Sequence, residues 1–260
     1  LEDRGRDALA AAIGFGLFSG EGHDGLGHGL RRGVPAAGLR LFVDQLGEDE
    51  VGEDAVGFLI DCISSRPAEV TVIALGPLTN LALAEARQPG ILSRARSVMV
   101  MGGALGEPGN VSPVAEFNFF VDPDAAPQVL RHKANLTLLP LDVTRNAVLL
   151  EQSASDAALS KDPVAVFCEA ATRTAIDYTA KSTGVRGMCL HDPLVVGLAC
   201  EPRLCRMVPL WLEVEAAGDL TRGQVVVDRR RIPESDLRGR PVKCATELEA
   251  ELFMRMFLQR

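Results

Sequence analysis

Three side chains within one short stretch of the chain could together bind a ligand rich in hydroxyl groups. Asn110, Glu116 and Asn118 lie in the segment 101–118, which glycines and prolines interrupt as is typical of a loop. Amide and carboxylate oxygens accept hydrogen bonds from vicinal hydroxyls, and amides also donate them, as recognition of a sugar requires. Because loops are generally polar, a plain surface loop is the alternative for each residue taken alone.

Two further polar motifs follow apolar runs in the same way. The runs 70–75, 97–101 and 136–141 are almost continuously apolar, which predicts strands buried on both faces of a parallel sheet. The pair Thr79 and Asn80 comes after the first run, the Asn110 loop after the second and Asp142 after the third. Carboxyl ends of parallel strands share the edge where open α/β sheets bind ligands, so the motifs predict one polar site. Taken singly, Thr79-Asn80 would signal only a helix start and Asp142 a strand-end cap.

Strand and helix patterns alternate along the chain, which predicts an α/β fold with an open, mostly parallel sheet flanked by helices. Asp122 as N-cap and Pro123 in the first helical position predict a helix that runs to about residue 132. No internal repeat or linker divides the chain, so residues 1–260 are predicted to form a single domain. The remaining predicted elements are helices over 78–87 and 163–180 and from Thr246 onward, and strands over 208–214 and 224–227.

Composition excludes several classes of function. The chain has 260 residues, of which 47% are hydrophobic, and a net charge of -8, so nucleic acid is not an expected partner. No uninterrupted run of 18 apolar residues is present, so no membrane partner is expected either. The six cysteines form no Cys-x-x-Cys pair, which argues against a zinc site and favours reduced thiols in a cytoplasmic protein.

Taken together, these motifs resemble those of the inosine/uridine-preferring nucleoside hydrolase family, in the same order along the chain. The resemblance covers roughly residues 21–258, and the long loop together with the downstream His-Asp-Pro is its most specific part. The matching segments are Ala-Leu-Gly-Pro-Leu-Thr-Asn at 74–80, the loop from 101 to 118 with Asp-Pro at 122–123, Leu-Asp-Val-Thr at 141–144, His-Asp-Pro-Leu at 191–194 and, more weakly, Asp-Gly-Leu-Gly at 24–27.

The resemblance implies Ca²⁺-dependent hydrolysis of the N-glycosidic bond of ribonucleosides to free base and ribose. By position, Asn110, Glu116 and Asn118 would bind the ribose, while Asp192 and the backbone carbonyl of Leu75 would be calcium ligands. A catalytic His191 would lie near the base and protonate it as it leaves, since histidine titrates in a suitable range. The alternative for the His191-Asp192 pair is a helix start with Asp192 as N-cap before Pro193. The resemblance also implies a homodimer or homotetramer.

The N-terminal region departs from the family pattern. The family opens with a strand and an Asp-x-Asp-x-x-x-Asp-Asp loop that supplies the catalytic base and the main calcium carboxylates. Here only Asp3 and Asp7 share that spacing, with Ala8 in place of the next aspartate. Calcium affinity depends on the number of carboxylates, so it is expected to be weakened or lost. We therefore expect either a chain truncated at its N-terminus, without its first strand or strands, or a non-catalytic homologue or fragment that retains a ribose-binding pocket.

Overall fold

A computed structural model describes residues 54–132 and 135–258, together with the backbone of one short strand at Ala12–Ile13. In these parts of the chain the strands form a seven-stranded sheet in the order β1-β2-β3-β4-β9-β7-β8 and a separate β5-β6 pair. The strands are β1 (Ala12–Ile13), β2 (Thr71–Ala74), β3 (Ser97–Met101), β4 (Leu136–Leu139), β5 (Val148–Leu150), β6 (Gly187–Cys189), β7 (Cys205–Val214), β8 (Val225–Val227) and β9 (Arg240–Leu248).

One half of the sheet is parallel, as the sequence predicts. Strands β1 to β4 pair in parallel, and β4 also pairs in parallel with β9. Alternate residues of β3 enter two different cores, with Val98 and Val100 in one and Met99 and Met101 in the other. Such strands are apolar on both faces, which explains why their sequences are continuous apolar runs. The predicted α/β fold with a mostly parallel sheet is therefore confirmed, and β1 is a strand that the sequence did not predict.

The other half of the sheet is antiparallel, and here one prediction is wrong. Strand β7 pairs antiparallel with both β8 and β9. Thr246 was predicted to begin the last helix, but it lies inside β9, whose pairing with β7 continues to Leu248 opposite Cys205. The helix begins only at Ala250. Long-range pairing thus overrides the local helix signal of Thr246.

Helices cover the sheet and supply its crossover connections. The predicted helix start at Asp122 is displaced, because the helix begins at Ala125, although Asp122 Oδ1 still accepts a hydrogen bond from the Ala125 N–H. The helices are α1 (Ala55–Ser65), α2 (Thr79–Arg87), α3 (Phe117–Val121), α4 (Ala125–Leu130), α5 (Leu141–Thr144), α6 (Glu151–Ala158), α7 (Pro163–Thr183), α8 (His191–Cys200) and α9 (Ala250–Leu258). Among the residues described, no helix is long and apolar enough to cross a membrane.

Candidate active site

The carboxyl ends of β2 and β3 are joined by one buried side chain, that of Asn118. Its Nδ2 donates hydrogen bonds to the backbone oxygens of Leu75, at 3.3 Å, and Met101, at 3.1 Å. Because both partners are carbonyl acceptors, they determine the orientation of the amide. Both contacts use Nδ2, so the side-chain oxygen Oδ1 of Asn118 takes no part in them. The structure thus brings Leu75 and Asn118 together, as the sequence predicts.

Glu116 is buried and bound by backbone donors on both sides. Its Oε2 accepts from the N–H groups of Gly103 at 3.0 Å and Phe119 at 3.3 Å, and its Oε1 accepts from Asn118 N–H at 2.8 Å. The bonds from Asn118 and Phe119 cap the first turn of α3, a short helix that the sequence did not predict, and the bond from Gly103 ties this turn to the end of β3. Burial raises the pKa of Glu116, and the three backbone hydrogen bonds oppose that rise.

Asn110 lies further out, at the exposed end of the same loop. Its Oδ1 accepts a hydrogen bond from Phe117 N–H at 2.9 Å, so it too caps the start of α3. The loop is narrow at this point, because a Cβ on Gly109 would come within 2.1 Å of the Ala115 carbonyl oxygen. The three residues predicted to bind a ribose therefore surround the first turn of one helix, with Glu116 and Asn118 inside and Asn110 outside.

Asp192 lies in the first turn of a helix that packs against β3. Helix α8 contacts β3 and begins at His191, with Leu190 as its N-cap, so Asp192 is not the N-cap that the alternative interpretation required. Burial, together with the negative charge of Glu116, raises the pKa of Asp192 to about 6. Asp192 therefore lies close enough to Glu116 for the two charges to interact.

His191 is held by a buried neighbour. Its Nδ1 is 2.7 Å from the hydroxyl Oγ1 of Thr144, at the end of α5. Burial and the positive charge of Arg145 lower the pKa of His191 to about 4, so the imidazole is neutral near pH 7. A neutral imidazole can still donate one ring N–H, but it does not hold the second proton of an imidazolium.

Two residues next to the site were given no individual role in it from the sequence, although Asp142 was among the polar residues predicted at this edge. The carboxylate of Asp142 accepts three backbone hydrogen bonds from Leu105, Gly106 and Glu107 of the Asn110 loop, at 2.8, 2.8 and 3.2 Å. Arg145 donates from Nη2 to the Gly109 carbonyl at 3.1 Å. The sequence marked Asp142 by its position after a buried strand and by the family match at 141–144, but it did not show these contacts, which span more than 30 residues.

Comparison with known proteins identifies the family of the chain and supports its fold. The profile of the family described as inosine-uridine preferring nucleoside hydrolase matches residues 18–255. The chain belongs to this family. Solved nucleoside hydrolases share the fold: a purine-preferring ribonucleoside hydrolase from Gardnerella vaginalis has a TM-score of 0.73 and 29% identity, over 80% of this chain and 65% of that one. The plant nucleoside hydrolase PpNRh1 has a TM-score of 0.74 and 27% identity, over 79% and 65%.

Curated relatives of this nucleoside hydrolase family member are longer than the chain. A probable uridine nucleosidase 1 from Oryza sativa subsp. japonica is 32% identical over 208 residues, which are 80% of this chain and 60% of the relative. A pyrimidine-specific ribonucleoside hydrolase RihA from Photobacterium profundum is 33% identical over 184 residues, which are 70% of this chain and 59% of the relative. The chain thus spans about three fifths of the length of these relatives.

The family resemblance implies a calcium site, and the described residues offer some of the oxygen ligands that such a site requires. The Leu75 carbonyl and the Asp192 carboxylate are hard oxygen ligands of the kind calcium prefers, and a cation would relieve the raised pKa of Asp192. Calcium takes about six to eight oxygens, however, and among residues 54–132 and 135–258 no cluster of three His, Cys, Asp or Glu side chains could hold a metal. These donors fit in type but are too few to form a site by themselves.

Other predictions lie outside the residues that the structure describes. They are the partial aspartate spacing of Asp3 and Asp7 and the weak family match at 24–27. Any additional calcium ligand or catalytic base that these segments supply is therefore still a prediction from the sequence.

Proposed function

We propose that this protein hydrolyses the N-glycosidic bond of ribonucleosides, releasing free base and ribose, and that the reaction depends on Ca²⁺. One observation carries the proposal: Asn118 and Glu116 are buried together at the carboxyl edge of β2 and β3, where Asn118 binds the Leu75 carbonyl and the charge of Glu116 acts on Asp192. The family match over residues 18–255 and the nucleoside hydrolase names of its relatives support the same activity.

The chemistry of glycosidic cleavage suits this arrangement. The bond breaks through an oxocarbenium-like state in which the sugar ring becomes positively charged. Glu116 and Asp192 would place negative charge beside that ring, in a buried site where electrostatic stabilisation is strong. Asn118 Oδ1, which its contacts to Leu75 and Met101 leave unused, would accept a hydrogen bond from a ribose hydroxyl.

The other predicted residues would contribute at the rim of the site. Asn110 would bind the ribose from the exposed end of the loop. His191, neutral near pH 7, would donate a hydrogen bond from Nε2–H to the departing base, whose proton would then come from another donor such as water. When bound, calcium would orient the ribose diol and lower the pKa of a bound water, with Leu75 and Asp192 among its ligands. The six free cysteines support a cytoplasmic location.

A second candidate is a homologue that binds ribose without cleaving nucleosides. The observation that favours it is that the described residues contain no cluster of three His, Cys, Asp or Glu side chains that could hold a metal. Binding and turnover separate the two candidates, because the binding protein would retain nucleoside affinity and release no base.

The test follows free base released from inosine and from uridine by the 260-residue chain in Ca²⁺ and in EDTA. We expect release in Ca²⁺ that slows at least about tenfold in EDTA, as removal of a catalytic metal implies. Nucleoside affinity is measured in parallel by calorimetry. Binding without release in either condition would favour the non-catalytic alternative. If the chain neither binds nucleosides nor releases base, both candidates are excluded.

A pair of asparagine variants tests the pocket itself. Asn118→Ala is expected to weaken nucleoside binding at least about tenfold, because a hydrogen bond to the ligand and the orientation of two carbonyls are lost. Asn135→Ala is the matched control, since Asn135 is exposed and its Nδ2 bonds the Arg96 carbonyl. Wild-type affinity in Asn118→Ala would contradict the assignment of the pocket.

A further inference from the structure

We infer that Asp142 and Thr144 are positioning residues, through which the short helix α5 places both the ribose-binding loop and His191. The inference rests on the proposed function, since it assigns Asp142 to the loop that carries Asn110 and Thr144 to the histidine near the base. Neither side chain is proposed to touch the nucleoside.

The first contact is between α5 and the loop. The Asp142 carboxylate receives the N–H groups of three consecutive loop residues, Leu105, Gly106 and Glu107, so a fixed negative group orients that part of the backbone. A carboxylate with two oxygens and about four lone-pair positions can accept all three, whereas an amide oxygen cannot and its NH₂ would oppose an N–H donor. Asp142 is therefore specifically suited to this loop.

Two neighbouring contacts strengthen the same connection. The Leu141 N–H donates to the Gly103 carbonyl at 2.9 Å, immediately before the loop turns. Arg145 binds the Gly109 carbonyl, one residue before Asn110, and its Nη1 lies 3.5 Å from the Glu107 carboxylate. Contacts from α5 and the residue after it therefore extend from the start of the loop to the base of Asn110.

The second contact is between α5 and His191. Thr144 is completely buried, and its hydroxyl lies 2.7 Å from Nδ1 of His191. With Nδ1 engaged, the ring is held in one orientation and Nε2 is the nitrogen left for the substrate. Two residues apart on one turn, Asp142 and Thr144 thus fix the ribose side and the base side of the site relative to each other.

The loop contact is tested with Asp142→Asn, against Asp124→Asn as the matched control. Asp124 is exposed and its side chain makes no capping hydrogen bond. We expect Asp142→Asn to speed amide exchange at Leu105, Gly106 and Glu107 and to raise KM about tenfold with kcat within about threefold, because ground-state binding is lost. The control should change neither. Unchanged exchange, or a KM within twofold of wild type, would overturn the role of Asp142.

The histidine contact is tested with Thr144→Val and Thr144→Ser. Valine keeps the volume and removes the hydroxyl, so we expect kcat to fall about tenfold with a smaller change in KM. Serine keeps the hydroxyl and should restore kcat to within about threefold. If Thr144→Val retained the wild-type kcat, or if Thr144→Ser were no better than Thr144→Val, Thr144 would not position His191.

Failure of the proposed function would be recognised separately. If the wild-type chain neither binds nor cleaves nucleosides, the hydrolase proposal is wrong, and amide exchange alone then decides the inference. Faster exchange at the three loop amides in Asp142→Asn, but not in Asp124→Asn, would support a loop positioned by α5. Equal exchange in both variants would overturn it.

Discussion

Carboxylates at the carboxyl edge of the sheet and carboxylates on the outer surface of this molecule are stabilised by different groups. Glu116 is buried and its partners are backbone N–H groups. Glu201 is instead only partly buried and pairs with the guanidinium of the exposed Arg203. The consequences for the pKa are opposite, since burial raises that of Glu116, whereas the Arg203 hydrogen bond lowers that of Glu201 to about 2.

The difference shows where negative charge is left uncompensated. Within residues 54–132 and 135–258, no arginine, lysine or histidine forms an ion pair with Glu116 or Asp192. Backbone dipoles hold Glu116 without cancelling its charge, which still acts on Asp192. Such a site favours a cation or a ligand that becomes positive, whereas the surface pairs are already neutralised.

The largest expected effect comes from removing the charge of Glu116. We expect Glu116→Gln to lower kcat/KM at least about 100-fold, about 2.7 kcal/mol at 1.36 kcal/mol per tenfold, because a buried charge beside the sugar ring is lost. Steady-state release of base from inosine and uridine measures it. The same substitution at Glu151, a surface carboxylate paired with Arg186, is the control and should leave kcat/KM unchanged. Equal losses in both variants would remove the distinction between the two groups of carboxylates.

Asp192→Asn should stabilise the fold while impairing the site. The pKa of Asp192 is raised from 3.8 to about 6, so between these pH values the folded chain binds more protons there than the unfolded chain. Its contribution to the free energy of unfolding therefore falls as pH rises from 4 to 6 and stays reduced above pH 6. Asparagine removes this penalty, so we expect the free energy of unfolding to rise by about 2 kcal/mol at pH 7.5. This is somewhat less than about 1.36 kcal/mol for each unit of the pKa shift, because Asp192 is partly exposed and solvent screens its charge.

Urea denaturation of wild type and Asp192→Asn at pH 4, 5, 6 and 7.5, without calcium, measures this gain. Comparing the two proteins at each pH removes the opposite contribution of His191, whose lowered pKa costs stability as pH falls from 6.5 to 4. Glu201→Gln is the contrasting control: because its pKa is lowered, that substitution should reduce stability above pH 4.5. A gain for Asp192→Asn that is the same at pH 4 and 7.5 would show that Asp192 is not a destabilised carboxylate.

The smallest effect is expected at the surface. Arg186 pairs with Glu151 and Asp177, and all three side chains are at least partly exposed to solvent. Solvent screens such pairs, so Arg186→Gln should change the melting temperature by less than about 2 °C, and by less still in 1 M salt. Differential scanning calorimetry provides the measurement. A loss comparable to the Asp192 effect would mean that surface pairs and site carboxylates contribute on the same scale.

The parallel half of the sheet could be predicted from sequence because its signal is local. Strands β2, β3 and β4 are buried on both faces, so nearly all of their residues are apolar and the runs could be recognised without knowledge of their neighbours. Helix α3 was missed because it has only five residues and its N-terminus is capped by Glu116, a side chain assigned to a ligand. The Glu116 carboxylate is thus both the N-cap of α3 and a predicted ligand-binding group. The sequence alone does not show that one carboxylate has both roles.

The contacts that organise the site were the least predictable part. Asp142 was visible as a polar residue after a strand, but its three partners lie 35 to 37 residues earlier in the chain. Thr144 and His191 are 47 residues apart. No sequence periodicity connects residues at such separations. They come together only because the strands that precede them end at the same edge of the sheet. Similarly, Thr246 has the local pattern of a helix start, yet pairing with β7 makes it part of a strand.

The position of β9 has a consequence for the order in which the molecule folds. This strand lies between β4 and β7, although about 100 residues separate it from β4 along the chain. During synthesis, β4 therefore keeps an open edge until residues 240–248 have left the ribosome. Pairing of β9 with β4 closes a long loop, which predicts slow folding. Until then the open edge of β4 exposes the nascent chain to aggregation, and we expect it to depend on chaperones during this period.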